Sequence, residues 1–130
     1  MIEQTAFIVS EWHYHEPDEP ITNEYDILCR SSLDVMRKRS STKKGIAFRI
    51  SSRFMYQKKM ILDYAGENSY VIDFDEVIDK RELQKMIRNS FTQFSEKFEL
   101  RRIGTVLEHR SVMPLDESLI DFDAILPLLE

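Results

Sequence analysis

Cysteine is nearly missing from this sequence: Cys29 stands alone, so no disulfide can form within the chain. A reducing cytoplasm is the compartment this suggests. Glycine is scarce, with three residues, and no compositionally biased tract interrupts the chain. That leaves neither a flexible linker nor an internal repeat, and predicts a single domain over residues 1–130. No apolar run approaches the roughly 20 residues a membrane-spanning helix needs. The opening residues Met1 to Phe7 lack the basic start, apolar centre and small-residue cleavage site of a secretory signal. Gly-rich phosphate loops, Cys-x-x-Cys pairs and His-Glu-x-x-His are all absent, which removes the usual sequence signs of nucleotide, zinc and redox chemistry.

Basic charge is also in deficit, with a formal net charge of −5, which disfavours a dedicated nucleic-acid binder. The charge is unevenly spread. Residues 1–29 carry seven acids and no Lys or Arg, whereas residues 30–60 carry ten Lys or Arg against the single acid Asp34. Acidic and basic strands lying side by side account for this, since opposite cross-strand charges attract mildly. A basic patch on residues 30–60, using Arg37, Lys38, Arg39, Lys43 and Lys44, is the alternative, and would bind an acidic partner or RNA.

What the chain has in strength is one helical stretch and a series of strands. From Asp79 to Arg110, apolar residues fall at Leu83, Met86, Ile87, Phe91, Phe94 and Phe98, in steps of three and four along one stripe. Lys80, Arg81, Lys85, Arg88 and Lys97 supply the solvated face. Asp79 followed by Glu82 signals an N-cap with a capping-box partner. Beyond Phe98 the phase slips, and apolar residues resume at Ile103, Val106 and Leu107. This predicts a bend near Leu100 and a second apolar face that seeks a partner copy. The expected oligomer contacts are therefore Phe94, Phe98, Ile103, Val106 and Leu107.

Thr5 to Tyr14 is rich in strand formers, and Pro17 to Pro20 closes it as a polar loop. Tyr25, Ile27, Cys29, Ser31, Leu33 and Val35 alternate with mostly polar residues, as a strand with one wet side would. Arg37 to Gly45 suits a loop or hairpin tip. Ile46 to Gln57 alternates again, with Met60 to Tyr64 and Tyr70 to Asp75 as further strands and Ala65-Gly66-Glu67-Asn68 as the turn between them. Strands followed by helix give an α+β fold: a four-stranded or slightly larger antiparallel sheet, a long helix and a short C-terminal helix. After Pro114, the apolar residues Leu119, Ile120, Phe122, Ile125, Leu126, Leu128 and Leu129 must dock on something. Asp121 can cap a last short helix.

Candidates for chemistry are thin. His13 and His15 share one side of the first strand with Glu11, but His109 is far off in sequence and no Cys-x-x-Cys or His-Glu-x-x-His accompanies them, so no metal is expected. Cys29 sits in an alternating apolar row and reads as a buried thiol. Asp73, Asp75 and Glu76 suit a strand end and a helix N-terminus better than an acid–base pair. Neither catalysis nor a cofactor is expected.

The segment Leu100-Arg-Arg-Ile-Gly-Thr-Val-Leu-Glu-His-Arg110, then Met113-Pro114-Leu115, then Asp121-Phe122-Asp123-Ala124-Ile125 resembles the C-terminal third of the SecB family of export chaperones. The resemblance covers about 30 residues in letters and most of the chain in layout. It implies a non-enzymatic cytoplasmic protein, a dimer or tetramer, that binds unfolded polypeptides in apolar grooves between sheet and helices. Phe7, Trp12, Tyr14, Phe54, Met55 and Tyr56 are the groove-lining residues to expect, because aromatic and Met side chains adapt to many sequences. The family docks on the SecA translocation motor through acids on its sheet. Here Glu16 falls near one such position but Tyr64 near the other, and the family's acidic tail does not follow Glu130. A chaperone of a toxin–antitoxin pair is thus as fitting as one for protein export. A non-catalytic interaction subunit of a larger assembly and a nucleic-acid-binding module are the competing readings.

Overall fold

Strands β1 (Ile2–Gln4), β2 (Ile8–Tyr14), β3 (Leu28–Arg39), β4 (Lys43–Tyr56) and β5 (Lys59–Asp73) form one antiparallel sheet, followed by helices α1 (Lys80–Arg101) and α2 (Phe122–Ile125). This is the computed structural model, and it describes residues 2–130. β3, β4 and β5 run as a meander, and β1 and β2 lie end to end along the far side of β5. The expected α+β order is present, with five strands.

Alternation decides the faces. Ile46, Phe48, Ile50, Phe54, Leu62, Tyr64, Tyr70 and Ile72 point to one side and are buried. Arg30, Arg49, Arg53, Asp63 and Glu67 occupy the other. α1 begins as its sequence signals: the Asp79 carboxylate accepts a hydrogen bond from the backbone N–H of Glu82 at 2.8 Å. Its buried stripe is Leu83, Met86, Ile87, Ser90, Phe94 and Phe98. The stripe lies over β4 and β5, where Tyr64 stacks on Phe94 at 4.2 Å and Phe54 on Phe98 at 5.3 Å between ring centroids. The Tyr64 hydroxyl donates to the Phe94 carbonyl at 2.5 Å, and burial pushes its pKa up.

One sequence expectation fails on β5. Ala65 to Asn68 is not a turn, because β5 runs unbroken for 15 residues through it. The β4–β5 turn instead falls at Gln57 and Lys58, which adopt left-handed φ values of 50° and 65° without the Gly or Asn that usually marks such a turn. Gly66 serves another purpose. The ring of Phe7 lies on it, and a Cβ there would come within 2.3 Å of that ring and 3.0 Å of the Ile8 carbonyl oxygen. The glycine is a seat for Phe7, not a hinge. The strand expected from Thr5 to Tyr14 starts only at Ile8, as β2, and a separate short β1 ends at Gln4. In between, Thr5 and Ser69 hold the register, with Thr5 N–H donating to the Ser69 carbonyl and Ser69 N–H to Thr5 Oγ1, both at 2.9 Å.

The basic hairpin tip is less available than its sequence suggests. Of its five cations, Lys43 is paired with Asp73. Lys44 is buried on the inner face, where its Nζ donates to the Glu76 carbonyl at 2.6 Å. Arg37, Lys38 and Arg39 remain exposed. Hydrogen bonding to Lys43 holds the Asp73 carboxyl down at about 2.

Two outcomes follow from this packing. Gly66→Ala should lower unfolding stability in urea by about 1–3 kcal/mol, the usual cost of overfilling a packed core, and adding Phe7→Leu should recover part of the loss. The Asp73 carboxyl has a folded pKa below its unfolded value of 3.8. Its stabilising contribution is therefore complete above about pH 4 and disappears as pH falls through about 2. Asp73→Asn should unfold at lower urea than the unsubstituted protein at pH 6, and the gap should close towards pH 2.

Candidate functional site

Five of the six residues expected to line a client groove belong instead to the interior or its margin. Phe7, Phe54 and Tyr56 are buried. Trp12 is half-buried, edge-on to Tyr64 at 5.4 Å, with the Arg101 guanidinium over its other side at 5.9 Å. Tyr14 is half-buried and its hydroxyl accepts from the Val106 N–H at 3.1 Å. Met55 is on the opposite face of the sheet, beside Leu28 and Arg53. These residues do not share one surface. The reason is volume: a 22-residue helix carrying Phe91, Phe94 and Phe98 needs bulky aromatic partners on the strands beneath it.

The expected oligomer face meets the same limit. Phe94, Phe98 and Leu107 are fully buried within the subunit. The helix ends at Arg101, and residues 102–110 form turns rather than a second helical face. Gly104 takes a φ of 80° there, which lets the chain fold back and tuck Leu107 under the sheet. The Arg102 guanidinium donates to the Arg110 carbonyl, closing the loop, and Arg110 donates to the Glu24 carbonyl at 2.6 Å. Ile103 alone of the five stays well exposed, and Val106 is half-buried. The phase slip seen in the sequence is therefore resolved inside the chain.

The open surface lies elsewhere. α1 covers β4 and β5 but leaves the inner side of β3 to the segment after Val112. That segment is pinned at both ends. The Met113 N–H donates to Cys29 Sγ at 3.3 Å, and Arg88 makes a two-pronged pair with Glu117 at 2.6 and 2.8 Å. That pair holds the Glu117 carboxyl below its ordinary pKa. Asp121 caps α2, accepting from the Ala124 N–H at 3.1 Å. Phe122 and Leu129 then drop into the core.

Between the segment and β3 a trough of about 650 Å³ stays open. Leu33, Val35, Leu115, Ile120 and Ile125 form its apolar floor and walls, and all five are only half-buried. Met113 and Leu119 stand at its mouth, the latter 82% exposed. Asp34, Asp116 and Asp121 edge it with acid, against Arg30. The alternation of the sequence puts Leu33 and Val35 on one face of the strand, and the apolar tail calls for a docking place. The missing information was that the helix is too narrow to cover β3.

The Cys29 thiol is buried, which raises its pKa and keeps it from being a ready nucleophile. His13 and His15 are exposed, and among the described residues no group of three His, Cys, Asp or Glu could hold a metal ion. Among the same residues no helix is long and apolar enough to cross a membrane.

No protein-family model matches this chain, and no curated protein matches it. Among solved structures, a protein of unknown function from Streptococcus agalactiae is similar to it over 89% of this chain and 97% of that one, with 9% sequence identity and a TM-score of 0.45.

Proposed function

We propose that this chain is a SecB-like chaperone that holds extended apolar segments of other polypeptides in the trough beside β3. One observation carries the reading: a ready-made channel of about 650 Å³ whose apolar side chains are left half-covered by the subunit itself. Side chains that a fold can bury are normally buried, and an apolar surface rimmed by polar groups is the usual mark of an interaction site. The floor is built from aliphatic residues and the mouth from Met113 and Leu119, which accept many side-chain shapes without a fixed complement. An extended segment of about six residues spans about 20 Å, close to the length of Cys29–Val35, the stretch of β3 that borders the trough.

The reading calls on no reaction and no cofactor. Its clients are unfolded chains in export or the unstable member of a toxin–antitoxin pair, and the acidic rim favours apolar segments flanked by Lys or Arg. Docking on a translocation motor is not part of it, since Tyr64 is a core residue stacked on Phe94 and not an exposed position on the sheet.

A chemically unfolded reporter protein tests this. Stoichiometric amounts of the chain should suppress the reporter's aggregation. Met113→Arg with Leu119→Arg, both at exposed positions, should leave thermal unfolding unchanged. That double variant should weaken reporter binding about tenfold or more, as expected for losing two apolar contacts. Full aggregation in the presence of the unsubstituted protein, or equal protection by the double variant, would remove the reading. Tight binding to folded partners with no preference for unfolded ones would point to an interaction subunit instead.

A further inference from the structure

β3 is the outermost strand on its side of the sheet, and its other neighbour is β4 alone. Its outward-facing row reads Leu28, Arg30, Ser32, Asp34, Met36 and Lys38. Leu28 is 68% and Met36 40% exposed. Across the β3–β4 pair, Arg30 faces another cation, Arg53, which is already bound to Asp63 at 2.6 and 3.1 Å. Asp34 faces Arg49, but that guanidinium turns to Ser10 at 2.9 Å and Glu11 at 3.4 Å. Among the described residues neither Arg30 nor Asp34 has an ion-pair partner. The strand thus presents a cation and an anion without ion-pair partners among the described residues, and two large apolar side chains, Leu28 and Met36, that stay well exposed beside Met55 and Ala47.

We infer that the missing match is a second copy of this chain, paired antiparallel along β3 about a two-fold axis at Ser32. Reversing the row about that residue sets Arg30 against Asp34 of the second copy, and Asp34 against its Arg30. It sets Leu28 against Met36, and Met36 against Leu28. Each charged and apolar position from Leu28 to Met36 finds a complement and makes its contact twice, as two-fold symmetry requires, while Ser32 meets its own copy once on the axis.

The register is singular. Shifting it by two residues one way puts Leu28 opposite Asp34, and the other way puts Leu28 opposite Lys38. A shift of four sets Arg30 against Arg30 or Asp34 against Asp34. Like charges directly opposite one another are unfavourable, and opposite charges and apolar pairs are favourable. Charges that only guard an edge against aggregation work by repelling a copy of themselves; here the reversed strand attracts itself. The result is a continuous ten-stranded sheet. The inner row Cys29, Ser31, Leu33 and Val35 of one subunit meets that of the other, and the added strand runs along the Arg30, Ser32 and Asp34 border of the trough. The pairing stands on the strand's own sequence, whether or not the trough holds clients.

Light scattering at micromolar concentration should give twice the 15.5 kDa chain mass. Arg30→Asp alone, or Asp34→Arg alone, sets two like-charge pairs across the axis and should weaken the dimer about tenfold or more. Combining Arg30→Asp with Asp34→Arg should restore it. Ser32→Cys, which keeps every native charge, places two thiols directly opposite at the axis. Cα atoms about 4.5–5.5 Å apart allow a disulfide, so mild oxidation should link the dimer covalently. Circular dichroism melts confirm that each variant is folded. A single-chain mass for the unsubstituted protein would overturn the inference. So would a dimer that Arg30→Asp leaves intact and Ser32→Cys does not cross-link.

Discussion

The aromatic seam between α1 and the inner face of the sheet sets everything else in this molecule. Phe7, Trp12, Phe54 and Tyr64 come from four separate strand or loop segments, and Phe94 and Phe98 from the helix, with ring contacts between 4.2 and 6.1 Å. Aromatic side chains remove more surface from water per residue than any others, and stacked or edge-on pairs add to that burial. Because the contacts link β2, β4 and β5 to one helix, the seam fixes the register of the first strand and the height of the helix over the sheet. Gly66 is its negative imprint: a missing side chain where Phe7 must enter.

Much of this was written in the sequence in plain form. The helix stripe, its Asp79 cap, the inner faces of β3 and β4 and the capping role of Asp121 all follow from side-chain period and local hydrogen-bonding chemistry. Where the sequence misled, one residue type had two uses. Ala65 to Asn68 carries turn residues because a glycine must sit under Phe7 and because Asn68 joins a buried polar contact, accepting from Ser90 Oγ at 2.8 Å. The true turn at Gln57 and Lys58 carries no local signal, because the long paired strands on either side hold those two residues in left-handed backbone. Tertiary pairing outweighs turn preference there.

The candidate site was legible only in its parts. A count of aromatics and methionines cannot tell a groove from a core, and the aromatics here went to the core because the helix sits on them. Residues 100–110 show the same ambiguity at the level of a segment. A second apolar face on a longer helix and a folded-back turn give the same spacing of Ile103, Val106 and Leu107. Gly104, with its left-handed φ, decides for the turn. Sequence period fixes which residues are apolar neighbours, but the path of the backbone decides whom they face.

What the seam leaves uncovered is as definite as what it covers. A helix with side chains is about 10–12 Å wide and neighbouring strands are about 4.8 Å apart, so one helix shields little more than two strands. α1 lies over β4 and β5; β2 is screened by its own Trp12 and Tyr14 and by the 102–110 turns; β3 is left over. The segment after Val112 closes only part of the gap, since Arg88–Glu117 and the Phe122 anchor hold it away from the strand edge at Leu119. A sheet of five strands under one helix must therefore leave one strand with an open inner side and an open edge. Both openings occur on the same strand and share Arg30, Ser32 and Asp34 as a border, so filling one bears on the other.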